Sequence, residues 1–238
     1  MPSKPNTPDQ ISRAVGALLA AATVLPGFEI LLTPEFIDRC RHFARSLALW
    51  GKTTNLTAQP SDPSEIAFHI LDSLAPLRLP ASSGDYHEGF ATGSQVLDIG
   101  SGAGFPGLIL AASTPATFTL AEARRRRASF LTLTAAEMGL RNVRVLNVAL
   151  SRDNVPGGFA IALSRAYGTG MNFFAIAARA LNPGGHALLF LNPDQPVDLA
   201  AAHTCGFAHF RHAAYGVPRA TDTVARVLDI LRLEQPAP

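Results

Sequence analysis

Cysteine is scarce in this 238-residue sequence: its two cysteines, Cys40 and Cys205, lie far apart and form no Cys-x-x-Cys pair. Their spacing argues against a disulfide framework and against a cysteine-based zinc site, and it favours a reducing, cytoplasmic location. The histidines show no metal-ligand spacing with carboxylates either. We therefore predict a protein without a metal site.

Long apolar runs are also missing. The segment 14–25, which follows Lys4 and Arg13, has the character of a secretory signal, but Asp9 interrupts its basic flank. The segment is also too short to cross a bilayer, so we expect no membrane partner. Residues 1–30 are interpreted as a leader, helical or disordered, with disorder expected over 1–10. A targeting signal is the less favoured alternative.

Excess charge of one sign is absent too. The net charge is only +2, from 20 basic and 18 acidic residues, which does not by itself indicate nucleic-acid binding. Four arginines are nevertheless consecutive: Arg124, Arg125, Arg126 and Arg127. They open a predicted helix, where the helix dipole does not favour cations. We interpret them as a patch that contacts phosphates, with a solvated basic face as the alternative.

Apolar spacing predicts two helices in the first third of the chain. One covers 34–50 with Thr33 as its N-cap, and the other covers 64–77 with Ser64 as its N-cap. A loop is expected over 80–94 because of its glycine, serine and proline content. These elements make residues 31–80 an N-terminal helical extension.

From residue 95 onward, short apolar strands alternate with helices. Strands are predicted at 95–100, 117–122, 142–150, 158–166 and 186–192, with helices at 106–113, 125–139 and 171–181. Two further strands in 207–233 are expected to form an antiparallel pair. This alternation predicts an α/β domain over 92–238, with a doubly wound, mostly parallel, Rossmann-like sheet.

A glycine-rich turn follows the first of these strands. The stretch VLDIGSGAGFPG, residues 96–107, holds four glycines in its last eight positions. Bare backbone after a strand lets a ligand approach closely. A dinucleotide is one candidate, because Gly102, Gly104 and Gly107 fit G-x-G-x-x-G and Glu122 lies about 20 residues on. Counted from Gly100, however, the sixth position is Phe105, which breaks that fingerprint.

The acidic residue before the turn favours another ligand. Asp-x-Gly-x-Gly-x-Gly, from Asp98 to Gly104, is the pattern of S-adenosylmethionine methyltransferases, whose cofactor is cationic and has no pyrophosphate. A carboxylate beside the turn would help to hold its ammonium group, and Glu122 would accept both ribose hydroxyls. We therefore predict that Asp98, Gly100, Gly102, Gly104 and Glu122 bind S-adenosylmethionine.

Further motifs occur in a fixed order around this turn: Asn-Leu-Thr-Ala at 55–58, His-Ile-Leu-Asp-Ser-Leu at 69–74, Phe-Leu at 130–131, Gly-Leu-Arg-Asn-Val at 139–143 and Ser-Arg-Ala at 164–166. From about residue 33 onward the chain resembles the bacterial small-subunit (16S) ribosomal RNA guanine-N7 methyltransferases, the glucose-inhibited division protein B family. The resemblance implies a class I S-adenosylmethionine-dependent methyltransferase. Its implied partner is small-subunit ribosomal RNA or an assembling ribosomal particle, which makes Arg124, Arg125, Arg126 and Arg127 expected RNA-binding residues. We expect a monomer.

The resemblance also implies site residues. Gly100 and Phe105 match cofactor contacts in the turn, and Leu150 and Ser151 match positions beside the adenine. Arg165 matches an active-site arginine beside the cofactor, with a structural ion pair as the alternative. His69 is the second expected catalytic residue, on the helix that closes the site together with Asp72. Its alternative is a helix histidine that pairs with Asp72.

Three positions depart from the family pattern. Phe68 stands where the family has arginine, Ala149 to Ser151 replace an arginine and an acid, and Leu191 with Asn192 replaces Lys-Gly. These departures keep alternatives open: an inactive relative that serves as an RNA-binding module, or a methyltransferase with another substrate, such as a small molecule. Transfer to guanine N7 needs no strong base, because that nitrogen carries an exposed lone pair.

Overall fold

The computed structural model describes residues 6–80, 86–165, 168–220 and 222–234. Helices cover α1 (Pro8–Ala22), α2 (Pro34–Trp50), α3 (Pro63–Ser73), α4 (Ala75–Arg78), α5 (Gly107–Ser113), α6 (Arg125–Glu137), α7 (Met171–Ala180) and α8 (Leu199–Thr204). Strands cover β1 (Gln95–Ile99), β2 (Thr117–Ala121), β3 (Val143–Leu146), β4 (Phe159–Arg165), β5 (Leu181–Leu191), β6 (Phe207–Arg219) and β7 (Asp222–Leu233).

The strands form one sheet of order β3-β2-β1-β4-β5-β7-β6. Strands β1 to β5 pair in parallel, whereas β7 runs antiparallel to both β5 and β6. The predicted doubly wound, mostly parallel sheet and its final antiparallel pair are therefore confirmed. The order reverses between β1 and β4, which is the position where such sheets bind ligands, beyond the carboxyl ends of the strands.

Helices cover both faces of the sheet. One apolar cluster joins residues of α1 to α6 to the first face, including Leu19, Phe43 and Ile109. A second cluster joins α7 and α8 to the other face, including Phe174 and Ala202. Burial on both sides explains why the central strands are apolar throughout rather than alternating.

Several local expectations are corrected. The disorder expected over 1–10 is wrong for residues 8–10, which begin helix α1 after a capping box formed by Thr7 and Gln10, while residues 1–5 lie outside the described part. Asp62, not Ser64, caps α3, because its carboxylate accepts the backbone N–H groups of Ser64 and Glu65. That helix ends at Ser73, since Pro76 has no N–H to continue it.

Two smaller differences concern the expected loop over 80–94 and the segment between β5 and β6. The expected loop over 80–94 contains a 3₁₀ helix, Tyr86–Phe90, while residues 81–85 lie outside the described part. Helix α8 has no counterpart among the predicted elements. Ala166 of the Ser-Arg-Ala motif also lies outside the described residues.

Candidate active site

Asp98 is hydrogen-bonded to the end of the glycine turn. This residue is 1% exposed at the end of β1, and its Oδ2 accepts the N–H of Gly107 at 3.1 Å. A Cβ on Gly107 would lie 2.5 Å from Cδ2 of Leu120 and closer still to Asp98, so glycine is required there. Burial raises the pKa of Asp98 to about 7. In this geometry Asp98 supports the turn and the start of α5.

Glu122 lies directly after β2 and faces the same turn. Its Oε2 accepts the N–H of Gly102 at 3.0 Å, and its Oε1 accepts the N–H of Arg124 at 2.7 Å. Gly102 has a φ of +54°, which glycine adopts without strain. These two donors fix the orientation of a carboxylate that is only 6% exposed.

A cavity of about 290 Å³ opens above Glu122, at the carboxyl ends of β1 and β2. Its lining includes Gly100, Glu122, Arg124, Arg127, Val148 and Leu150. One wall is thus polar and the other apolar, as a nucleoside requires. A cavity of about 380 Å³ at His186 and Asn182 lies near the amino ends of β4 and β5, away from the strand ends where α/β sheets bind ligands.

Three other predicted cofactor residues, Phe105, Ser151 and Gly104, are not among the residues that line this cavity. Phe105 is buried, with its ring 4.9 Å from the ring of Phe43 and 5.3 Å from that of His69. The backbone N–H of Ser151 donates to Asn154 at 2.7 Å. Gly104 leaves no room for a side chain, because a Cβ would lie 2.5 Å from Leu108. Their roles as direct contacts stay predictions.

A buried polar network surrounds Asp72, which is fully buried in α3. Its Oδ2 accepts Nη1 of Arg165 at 3.3 Å, while its Oδ1 accepts the hydroxyl of Tyr215 at 2.8 Å and Nε of Arg226 at 3.2 Å. Arg226 also donates to Oδ1 of Asn192. One carboxylate therefore holds two arginines that arrive from β4 and β7.

His69 completes the surroundings of Arg165. Its Nδ1 lies 3.4 Å from Nη1 of Arg165, whose guanidinium carbon lies 4.8 Å from the ring centroid of Phe105. Burial, followed by the charge of Arg165, lowers the pKa of His69 to about 3. The imidazole is thus uncharged at pH 7. Its Nδ1 can accept a hydrogen bond from Arg165, but the ring holds no additional proton to donate as a general acid.

The arginine run divides into two groups. Arg124, Arg125 and Arg126 are exposed around the first turn of α6, next to the cavity. Arg127 is half-buried, and its guanidinium donates to the carbonyl oxygen of Asn55, at 3.0 Å from Nε. Arg127 therefore ties the predicted Asn-Leu-Thr-Ala segment to the edge of the cavity.

Sequence reasoning missed the contributions of the last hairpin and of Asn192 to the network of Asp72. Tyr215, Arg226 and Asn192 enter the network of Asp72 from β6, β7 and the end of β5. The available signal was a charged residue inside the apolar run of β7, because arginine is rarely buried without a partner. The guanidinium of Arg219 also lies 5.6 Å from the ring centroid of Phe68, so a cation reaches a position where the family pattern expects one.

None of the helices in the described part of the chain has the length and apolarity to cross a lipid bilayer.

The solved structure of MtNAS in complex with MTA and tNA shares the fold. Its TM-score is 0.55 at 13% identity, over 94% of this chain and 86% of that chain.

Sequence comparison finds closer relatives. Ribosomal RNA small subunit methyltransferase G of Aromatoleum aromaticum is 32% identical over 197 residues, which are 79% of this chain and 88% of that protein. The protein of the same name from Neisseria meningitidis is 32% identical over 190 residues, or 79% and 86%. The family model GidB, rRNA small subunit methyltransferase G, matches residues 37–205. The chain belongs to this GidB family of rRNA small subunit methyltransferases.

Proposed function

We propose that this protein is an S-adenosylmethionine-dependent methyltransferase that methylates N7 of a guanine in small-subunit (16S) ribosomal RNA. One observation carries the proposal: in a member of the GidB family, the oriented carboxylate of Glu122 faces a cavity of about 290 Å³ at the carboxyl ends of the strands. Arg165 stands at the end of the neighbouring strand β4.

The residues around the cavity fit this cofactor. Each oxygen of Glu122 accepts one backbone N–H and keeps lone pairs for a ribose hydroxyl. Leu150 and Val148 supply an apolar wall for a purine, and Gly100 exposes backbone at the mouth of the turn. When bound there, S-adenosylmethionine supplies an electrophilic methyl group on a sulfonium.

The catalytic task of the protein is alignment, because guanine N7 attacks without losing a proton. Arg165 is pre-oriented by Asp72 and Phe105 and retains N–H donors that fit the O6 acceptor of a guanine or a flanking phosphate. His69 positions the same guanidinium, and its low pKa leaves it unsuited to acid catalysis at neutral pH. We assign both residues to the catalytic centre on these grounds.

Attraction of RNA falls to exposed cations beside the cavity. Arg124, Arg125 and Arg126 are placed to contact phosphates that flank the target base, and Arg127 contributes from the edge. Arg219 lies beside Phe68 but forms an ion pair with Glu65, so its charge is already partly neutralised. The target guanine must be unstacked or presented in a loop to enter the site.

The test is a methyl-transfer assay with radiolabelled S-adenosylmethionine and small-subunit RNA, or particles, from cells that lack the modification. Borohydride–aniline cleavage then maps N7-methylguanine. We expect one labelled guanine and a loss of about a hundredfold in kcat for Arg165→Lys, which keeps the charge but not the fork. The matched control is Arg211→Lys, outside the site.

Three other outcomes would contradict the proposal. Cofactor binding without any label favours an inactive RNA-binding relative, and label in a small molecule but not in RNA favours a substrate-switched enzyme. Absence of cofactor binding by calorimetry removes all three functions together. The same purified sample, run on size-exclusion chromatography, tests the proposed monomer, and cell fractionation tests the proposed cytoplasmic location.

A further inference from the structure

We propose that His209, His212 and Asp229 form a binding site for one divalent transition-metal ion of the zinc type. The site lies on the hairpin of β6 and β7. It is separate from the cavity of Glu122 and from the network of Asp72. Spacing along the sequence gave no sign of it, because the carboxylate comes from a different strand.

A bulge in β6 creates the grouping. Successive side chains of a strand point to opposite faces, so residues three apart would ordinarily diverge. The pairing of β6 with β7 shifts register between His209 and Arg211, which inserts an extra residue and re-aims the side chains. As a result Nε2 of His209 lies 3.1 Å and Nδ1 of His212 lies 2.8 Å from Oδ1 of Asp229.

These separations suit zinc with little adjustment. The three donor atoms all lie within 4.8 Å of one another. A tetrahedral ion bound at about 2.0–2.1 Å requires its donors to be about 3.3 Å apart. The two carboxylate–imidazole separations, 3.1 and 2.8 Å, are already near that value, and the two imidazole nitrogens lie within 4.8 Å of each other.

The burial of the three side chains also fits an ion site. Asp229 is 7% exposed, whereas the side chains of His209 and His212 are 37% and 59% exposed. The anion is thus fixed and the imidazoles can turn, and three protein ligands leave the fourth position of a tetrahedral ion for water. The intervening Arg211 places its guanidinium on the carbonyl oxygen of Pro80, at 2.9 Å, so this cation is committed elsewhere.

The site would join two neighbouring strands, since both histidines lie on β6 and the carboxylate on β7. An ion that binds only the folded arrangement adds its binding free energy to the stability of the protein. Metal binding therefore has a readout that is independent of methyl transfer.

The experiment uses the full chain without an affinity tag, first treated with a chelator. Zinc chloride is titrated by calorimetry, cobalt absorption reports tetrahedral ligands, and the unfolding temperature is measured with and without zinc. We expect one ion per chain and a higher unfolding temperature with zinc. We expect His209→Ala, His212→Ala and Asp229→Asn each to weaken binding by about a hundredfold.

His42→Ala is the matched control, because His42 faces a single carboxylate, Asp38, at 3.8 Å and has no second histidine in its pair. It should bind zinc like the wild type. His212→Ala should keep the metal-free unfolding temperature, since its side chain is largely exposed. The proposal is wrong if the wild type binds no zinc, or if His212→Ala binds it as tightly as the wild type.

Discussion

Asp72 and Arg165 lie 93 positions apart in the chain, yet Oδ2 of Asp72 lies 3.3 Å from Nη1 of Arg165. The carboxylate is fully buried and would be costly to the fold without cations around it. Arg165 and Arg226 supply those cations, and the carboxylate in turn holds Arg165 beside the proposed reaction centre. Stability and positioning therefore depend on the same pair.

Asp72→Asn should lower the free energy of unfolding by about 3 kcal/mol, because it leaves two guanidinium groups in a buried site without an anion. Their side chains are only 15% and 11% exposed. Urea unfolding at pH 7 measures the loss. The control Asp38→Asn removes a carboxylate that is 65% exposed and should change stability by less than about 1 kcal/mol. Equal losses in both variants would contradict the assigned role of Asp72.

Gly107→Ala should destabilise the protein by about 1–3 kcal/mol, because the added methyl group meets Leu120 and Asp98. Thermal unfolding is the measurement. Gly157→Ala serves as the control, since a Cβ there would be an ordinary 3.6 Å from the carbonyl oxygen of Arg179. A Gly107→Ala protein as stable as the Gly157→Ala protein would show that the turn is less tightly packed than described.

Asp98 should make the protein less stable as pH rises from about 4 to about 7. Its pKa in the folded state, about 7, exceeds that of an unfolded aspartate, about 3.9, so the folded state holds the proton more tightly across this range. Above pH 7 Asp98 is ionised in both the folded and the unfolded protein, so it no longer changes stability with pH. Asp98→Asn keeps an acceptor for Gly107 and should abolish this slope.

His69 has the opposite effect on the pH dependence of stability. The effect of Asp98 must therefore be measured as a difference between the wild type and an Asp98 variant. Its pKa of about 3 lies below the ordinary value of 6.5, and its contribution to stability is complete above pH 6.5 and is lost as pH falls toward 3. Urea unfolding is measured at several pH values for the wild type and for Asp98→Asn. The contribution of His69 is the same in both proteins and drops out of their difference. An unchanged slope in Asp98→Asn would rule out a raised pKa at that residue.

The exposed arginines of α6 should govern the salt dependence of RNA binding. The double variant Arg125→Gln, Arg126→Gln should reduce the slope of log K against log salt by about 0.7 for each phosphate that the arginines no longer neutralise. Fluorescence anisotropy with a small-subunit RNA fragment measures this slope. The pair Arg13→Gln, Arg41→Gln, exposed on α1 and α2, is the control. Equal reductions by the two pairs would point to a diffuse charge effect rather than a patch.

The parts of the fold that rest on local signals could be predicted from the sequence. Strand–helix alternation, the Thr33 cap and the turn after β1 all depend on residues within a few positions of one another. The placement of Glu122 beside that turn could also be predicted although the two lie 20 positions apart, because adjacent parallel strands end at the same edge of the sheet.

The features that escaped prediction depend on contacts across long stretches of chain. The cap at Asp62 was missed because two oxygen-bearing side chains compete within three positions, and proline at the first helical position decides between them. The partners of Asp72 on β6 and β7, and the bulge that gathers His209 and His212, follow only from sheet register. The pairing register of β6 and β7 cannot be predicted from the periodicity of the sequence.

The network of Asp72 also sets an order of assembly. Tyr215 follows it by 143 positions and Arg226 by 154. Because synthesis runs from the amino terminus, most of the sheet is synthesised after Asp72 and before Tyr215 and Arg226. Contacts of such long sequence separation also form slowly. The arrangement that orients Arg165 is therefore among the last to close, and a partly synthesised chain lacks it.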